Sequence, residues 1–163
     1  MNAAFRLELT HHKGNGMTIG TDVAHAASKA IDLTELTVET VQAGFASGAF
    51  TAEQLTRACL GRIATYNPRY NAIILLNPDA LADARAIDRR RAAGEKLGAL
   101  AGVPVVIKDP MDMKGLPTTA GWSLLYSKTG GVDLMPERDA PVVARMRAAG
   151  TVMLGDQCSN PRP

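Results

Sequence analysis

The sequence is poor in aromatic residues, in cysteine and in net charge, and it has no long apolar run. Only 4% of its 163 residues are aromatic, whereas 46% are hydrophobic and 21% are charged. This composition is typical of a globular protein and excludes the collagenous, coiled-coil and disordered classes. A chain of this length is the size of one domain and can bury a core of its own. We therefore expect one folding unit.

The two signs of charge nearly cancel. The chain has 18 Lys and Arg residues against 16 Asp and Glu residues, which leaves a formal net charge of +2. Proteins that bind nucleic acid or a membrane surface through charge carry a clear basic excess. We expect neither kind of partner.

The two cysteines, Cys59 and Cys158, show no CxxC spacing, which favours a reducing compartment. The N-terminal stretch has no basic start followed by an apolar segment, and no window is long enough to span a bilayer. We therefore predict a cytoplasmic protein. His11 and His12 have no third ligand at a useful spacing, and no glycine-rich phosphate-binding loop occurs. The sequence predicts neither a metal nor a cofactor.

Four segments carry the periodicity and capping signals of amphipathic helices. Residues 1–30 show no such period, and we treat them as a flexible leader. Asp32 with Glu35 can cap the first helix, and Thr51 with Gln54 forms the capping box of the second. The predicted helices run from Asp32 to Gly48, Thr51 to Asn67, Pro78 to Gly94 and Asp139 to Gly150.

Three short apolar runs, at residues 71–76, 103–107 and 151–154, are predicted strands. Strands and helices alternate along the chain, which predicts an α/β fold whose sheet is covered by helices. Each of the four helices has an apolar stripe that must be buried, and three strands offer little sheet surface for them. We therefore expect an incomplete sheet. Residues 109–138 form a long loop rich in Gly, Pro and Thr, and long ordered loops are often functional.

Lys108 ends the second predicted strand, directly after the apolar run 103–107. Open α/β sheets place their chemistry at the carboxyl ends of strands. A lysine there can bind an anionic group, form a Schiff base, or act as a general base if burial favours its neutral form. A nearby Asp109 carboxylate would oppose that last role. A Lys-Asp-Pro sequence at a strand end is usually only a solvated turn, and spacing alone does not overturn that interpretation.

A wider pattern of Gly, Lys, Asp and Thr residues surrounds this strand: Gly102–Asp109 (GVPVVIKD), Asp112, Gly115 and Thr118–Gly121. This pattern resembles the opening of the amidase signature family, which contains amide hydrolases and the transamidating A subunit that converts glutamyl-tRNA to glutaminyl-tRNA. The predicted helical pair 33–63 and the segment 139–155 agree with it, so the resemblance covers residues 31–155. It implies the N-terminal part of the amidase signature fold, with helices covering a mixed sheet.

The resemblance also implies a mechanism. Family members are serine amidases with a Ser-cisSer-Lys triad, in which Lys108 would be the general base, acting through a bridging serine on the nucleophilic serine. The nucleophile attacks the amide carbonyl, backbone N–H groups stabilise the oxyanion, and water hydrolyses the acyl-enzyme. Gly102, Pro104 and Asp109 would shape the strand and loop around the lysine. The implied substrate is a small-molecule amide, and no cofactor is required.

The chain departs from the family in two places. The Gly/Ser-rich signature that carries both serines is absent, and Ser123 is displaced by one residue from a position where members often carry serine, so we do not predict it as the nucleophile. After Gly155 the family usually continues Lys-Thr-Asn, whereas this chain reads Asp156-Gln157. We therefore treat residues 156–163 as a tail outside the family.

These departures lead us to expect that the chain is marginally stable and inactive alone. It would then pair with a C-terminal complementing fragment or form a homo-oligomer. Two alternatives stay open at this point: a non-catalytic binding or assembly fragment, and the transamidating A-subunit type of glutamyl-tRNA amidotransferase.

Overall fold

The computed structural model describes residues 31–157. The predicted leader, His11, His12 and Cys158 lie outside this range. Within it the chain forms four α-helices and three β-strands, with two short 3-10 turns between β2 and α4. In chain order the elements are α1 (Val38–Ser47), α2 (Ala52–Tyr70), β1 (Ile73–Leu76), α3 (Ala80–Ala92), β2 (Pro104–Lys108), α4 (Pro141–Ala148) and β3 (Val152–Gln157).

The three strands form one sheet in the order β1-β3-β2. β3 lies in the centre, antiparallel to β1 and parallel to β2. The predictions of an α/β fold and of a mixed sheet are therefore confirmed. Within the described range β2 pairs only with β3, so its other side is a sheet edge.

Apolar residues cover both faces of β3. Val152 and Leu154 pack into a first core with side chains of α1, α2 and α3, among them Phe45, Leu55 and Ala84. Met153, between them in sequence, belongs to a second core that contains Ile107, Met113, Leu116 and Val143. Because neighbouring residues of a strand point to opposite faces, this alternation places α1–α3 on one face of the sheet and α4 with the loop after β2 on the other.

The predicted start of the first helix at Asp32 is wrong. Asp32 instead accepts hydrogen bonds from the backbone N–H and the hydroxyl of Thr34. The helix begins at Val38, where Thr37 and Thr40 form a reciprocal capping box, and it ends at Gly48 as predicted. Both Asp32-x-x-Glu35 and Thr37-x-x-Thr40 resemble capping pairs, and packing of Ile31, Leu33 and Leu36 on the first core accompanies the later start.

The predicted end of the second helix at Asn67-Pro68 is also wrong, although its capping box at Thr51 is confirmed. α2 continues through Pro68 to Tyr70. A proline in the last turn removes only one helical N–H, and Ala64, whose carbonyl loses that partner, is exposed to water. The side chain of Asn67 binds both the N–H and the C=O of Ile73, which fixes the turn from α2 into β1.

Two predictions near the end of the described range need correction. The fourth helix does not begin at Asp139 but at Pro141, and the Asp139 carboxylate instead pairs with Arg147 and accepts a hydrogen bond from the backbone N–H of Lys114. The third strand does not stop at Leu154 but continues to Gln157. Pairing with β2 on one side and β1 on the other holds these polar residues in an extended conformation, a tertiary effect that local sequence does not carry.

Among residues 31–157, none of the helices has the length and the apolar character that a bilayer-crossing helix requires.

Candidate active site

Lys108 is the last residue of β2, at the carboxyl end of the parallel β2/β3 pair. Because β2 alternates, Lys108 shares a face with Pro104 and Val106, and Pro104 lines a groove of about 710 Å³ between the helices and the sheet. The lysine side chain is exposed, and Val106 beside it is 37% exposed. Among the described residues the apolar run 103–107 does not bury Lys108, because its most buried member, Ile107, faces the second core.

Asp109 is turned into the loop that follows β2. Its carboxylate accepts hydrogen bonds from the backbone N–H and hydroxyl of Thr119, at 2.8 and 2.7 Å, and from the N–H of Gly121 at 2.8 Å. Its backbone N–H donates to the carbonyl of Gln157, which extends the β2/β3 pairing by one residue. With 1% exposure, Asp109 ties the Thr118–Gly121 segment to the end of the sheet.

The segment that donates to Asp109 contains two consecutive residues with a positive φ, Ala120 at 48° and Gly121 at 75°. Such a conformation is uncommon for alanine, and the three donors around Asp109 explain why it persists here. A second carboxylate, Asp112, accepts from the hydroxyl of Thr118 at 2.8 Å, and its backbone carbonyl accepts from the N–H of Ala140 at the start of α4. The loop beside Lys108 is thus anchored at both ends.

Gly102 lies where the chain enters β2. Its φ is 84°, and a Cβ at this position would lie 3.0 Å from Cβ of Ala52 and 3.1 Å from the ring of Phe45. Its N–H donates to the carbonyl of Gly150 at 2.9 Å. Only glycine allows this combination of close approach and left-handed backbone, so Gly102 sets the position from which β2 leads to Lys108.

Asp156 is a functional candidate that the sequence does not reveal. It pairs with Ile107 and Leu75 in the sheet and is 3% exposed, and its Oδ1 has no hydrogen-bond partner in the described part of the chain. Burial, and then the negative charge of Asp109, raise the pKa of Asp156 to about 7. The signal that could have found it is the departure from the family pattern at this position.

The remaining candidates carry no chemistry of their own. Cys59 packs against the first core, and burial raises the pKa of its thiol, which is the opposite of what a nucleophilic cysteine needs. Across residues 31–157 there is no cluster of three or more His, Cys, Asp or Glu side chains that could hold a metal ion. Ser123 lies on the surface, at the start of a short 3-10 turn.

Comparison with protein families and curated sequences identifies relatives of this chain. A family model described as Amidase matches residues 54–157. The A subunit of glutamyl-tRNA(Gln) amidotransferase from Salinispora arenicola is 45% identical over 125 residues, which cover 76% of this chain and 24% of the relative. Its counterpart from Chloroflexus aurantiacus is also 45% identical, with the same coverage. The chain therefore spans about a quarter of the length of these curated relatives.

Solved structures give the same picture. The peptide amidase of Stenotrophomonas maltophilia superposes with a TM-score of 0.68 at 36% identity, over 76% of this chain and 25% of the amidase. An amidase family protein from Bacillus anthracis superposes with a TM-score of 0.66 at 28% identity, over 77% of this chain and 24% of that protein.

Proposed function

Because the chain belongs to the amidase family, we propose that it supplies the N-terminal part of an enzyme that hydrolyses carboxylic amides, with Lys108 as the general base. The observation that carries the proposal is the position of Lys108 at the carboxyl end of β2, inside the segment that the family model matches. Chemistry in open α/β sheets lies at such strand ends. Asp109 supports the role because its carboxylate is occupied by Thr119 and Gly121.

In this reaction Lys108 accepts the proton of a nucleophilic serine through a bridging serine. The serine oxygen bonds to the amide carbon, the C–N bond breaks, and the amine leaves with the proton that Lys108 returns. Water then hydrolyses the acyl-serine and releases the acid. The two serines come from a Gly/Ser-rich segment that these 163 residues do not contain, so we expect the 163-residue chain alone not to turn over.

Like the two serines, the burial that Lys108 needs must come from residues outside the described range. A lysine acts as a base only in its neutral form, and desolvation is the usual way to favour that form. Lys108 is exposed here, on the face of the sheet that carries the groove. A polypeptide that covered this face would bring the serines and remove water from the lysine in one step.

A second candidate is the transamidating type of enzyme. It is favoured by the identity of 45% to the two amidotransferase relatives. In that case the amide is glutamine, the released ammonia passes to a glutamyl-tRNA substrate, and the chain works with further subunits in the cytoplasm. The two candidates share the role of Lys108 and differ in which amide is hydrolysed.

The test is a chimera in which residues 31–157 replace the matched segment of the Stenotrophomonas maltophilia peptide amidase. We expect the chimera to hydrolyse amides, and we expect Lys108→Ala to lower kcat by about 10²–10⁴-fold because a general base contributes that much. Lys96→Ala, a change at an exposed lysine outside the site, is the matched control and keeps kcat.

Two results would contradict parts of the proposal. A Lys108→Ala chimera that is as active as its parent would show that Lys108 is not the base. Hydrolysis of simple amides by the 163-residue chain alone, lost in Lys108→Ala, would show that the nucleophile lies within this chain. Selective hydrolysis of glutamine by the chimera, among a panel of amides, would favour the transamidating type.

A further inference from the structure

Two buried carboxylates lie at the adjacent ends of β2 and β3. Asp109 is 1% exposed and Asp156 is 3% exposed. Ile107 pairs with Asp156, and the backbone N–H of Asp109 donates to Gln157, so the two side chains flank the last pairs of the parallel ladder. Two like charges in a poorly hydrated place repel each other, and such a pair resists ionisation of its second member.

The surroundings of the two carboxylates are unequal. Three donors, two from Thr119 and one from Gly121, compensate a negative charge on Asp109. Asp156 has no donor at Oδ1 within the described range, and it lies on the same face as Ile107 of the apolar second core. A buried charge without donors is costly, and binding a proton removes it. The proton of the pair therefore belongs on Asp156.

The charged groups nearby do not replace that proton. β1 has no charged residue, and α2 and α3 cover the opposite face of β3 through apolar side chains. Arg147 of α4 is paired with Asp139. The remaining charged residues of β2, α4 and the loop between them are Lys108, Asp109, Asp112, Lys114, Lys128, Asp133, Glu137, Arg138 and Arg145. Of all these groups, Asp109 is the one whose charge acts on the pKa of Asp156, and it raises that pKa.

We propose that the fold holds the buried Asp156 carboxyl, whose Oδ1 has no donor among the described residues, as a neutral acid beside Asp109, and that loss of this proton loosens the sheet end that carries Lys108. The pairs Ile107–Asp156 and Lys108–Gln157 are consecutive in the ladder. Repulsion between the two carboxylates therefore acts directly on the strand end from which Lys108 projects. This inference is independent of the proposed amidase activity.

The direction of the pH effect follows from linkage. The pKa of Asp156 is raised from 3.8 to about 7 in the folded chain. The folded state thus binds more protons than the unfolded state between these values, so stability is greatest near and below pH 3.8 as far as this group is concerned. It falls as the pH rises toward 7 and is constant above it.

The test is urea unfolding of the 163-residue chain between pH 5 and 8.5. We expect the unfolding constant of the wild type to rise by up to about tenfold per pH unit below pH 7 and to level off above it. Asp156→Asn, which cannot ionise, should flatten this rise. Asp133→Asn is the control and should retain it, because hydrogen bonds from Ser127 lower the pKa of Asp133 and keep its titration below this range.

Local readouts test the site itself. Amide hydrogen exchange at Ile107–Asp109 and Asp156–Gln157, corrected for intrinsic rates, should lose protection above pH 7 in the wild type but not in Asp156→Asn. The side-chain carboxyl carbon of Asp156, followed by NMR, should titrate near pH 7, which decides the matter even if a variant does not fold. A midpoint near pH 4, or the same pH dependence in Asp156→Asn as in the wild type, would overturn the proposal.

Discussion

Thr119 illustrates how single residues build the loop beside Lys108. Its hydroxyl and its backbone N–H both donate to Asp109, and its side chain is 4% exposed. A hydrogen bond to a charged acceptor in a buried place contributes about 1.5–3 kcal/mol, more than a neutral one. The conformation of the Thr118–Gly121 segment therefore depends strongly on this side chain.

We expect Thr119→Val to lower the free energy of unfolding by about 1.5–3 kcal/mol, because it preserves shape while removing the donor to Asp109. Thr65→Val is the control. That hydroxyl donates to the carbonyl of Gly61 on the exposed surface of α2, and its loss should change stability by no more than about 0.5 kcal/mol. Urea denaturation of both variants measures the difference, and equal effects would contradict the role of the Asp109 contact.

The N-terminus of α2 shows how one element can depend on another. Thr51 caps the helix locally, with its hydroxyl accepting from the N–H of Gln54. A second cap comes from α3, where the Asp88 carboxylate accepts from the N–H groups of Ala52 and Glu53, at 2.8 and 2.9 Å. A negative charge at this end also complements the helix dipole. Asp88 thus joins α2 to α3 as well as capping α2.

Asp88→Ala should destabilise the chain by about 1–2 kcal/mol, because two N–H groups of α2 lose their acceptor and the helix end loses a favourable charge. Asp79→Ala provides the comparison. Asp79 directly precedes α3 and makes no side-chain capping hydrogen bond, so its replacement should have a smaller effect. Denaturation midpoints, together with amide exchange at Ala52 and Glu53, would show whether Asp88 acts at the start of α2.

At the scale of the whole molecule, the described part of the chain leaves apolar surface and a strand edge uncovered. The groove of about 710 Å³ is lined mainly by Leu, Val, Ile and Tyr side chains of α1, α2 and the sheet. Among residues 31–157, β2 pairs with β3 alone, and Val106 on it is 37% exposed. Unpaired edges and large apolar patches promote association. The exposed edge of β2 therefore predicts that the purified chain associates with itself.

Val106→Lys should reduce self-association of the purified chain, because a lysine on an exposed edge strand disfavours pairing with another edge. Val142→Lys is a matched control, since Val142 is also 37% exposed but lies on α4. Sedimentation velocity over a range of concentrations compares the two variants with the wild type. A wild-type chain that remains monomeric throughout, or an equal effect of both substitutions, would contradict association through β2.

Much of the fold can be predicted from local signals, and the reason is visible in particular residues. The Thr51 capping box, the glycine at the end of α1 and the apolar run before Lys108 each act over a few positions, so they are readable in sequence. The errors lie where two local signals compete, as at Asp32 and Thr37, or where a breaker such as Pro68 falls in a last turn that tolerates it.

The amino-acid pattern alone is sufficient for the number and order of the helices and strands and for the position of Lys108 at a strand end, because these depend on neighbours in the chain. The strand order β1-β3-β2, the exposure of Lys108 and the burial of Asp156 depend on residues far apart in sequence. Gly155 shows this directly: its φ is 150°, and a Cβ there would overlap the carbonyl oxygen of Leu75. Only when β1 and β2 enclose β3 do Gly155-Asp156-Gln157 become a strand, and only then does Asp156 lie buried beside Asp109.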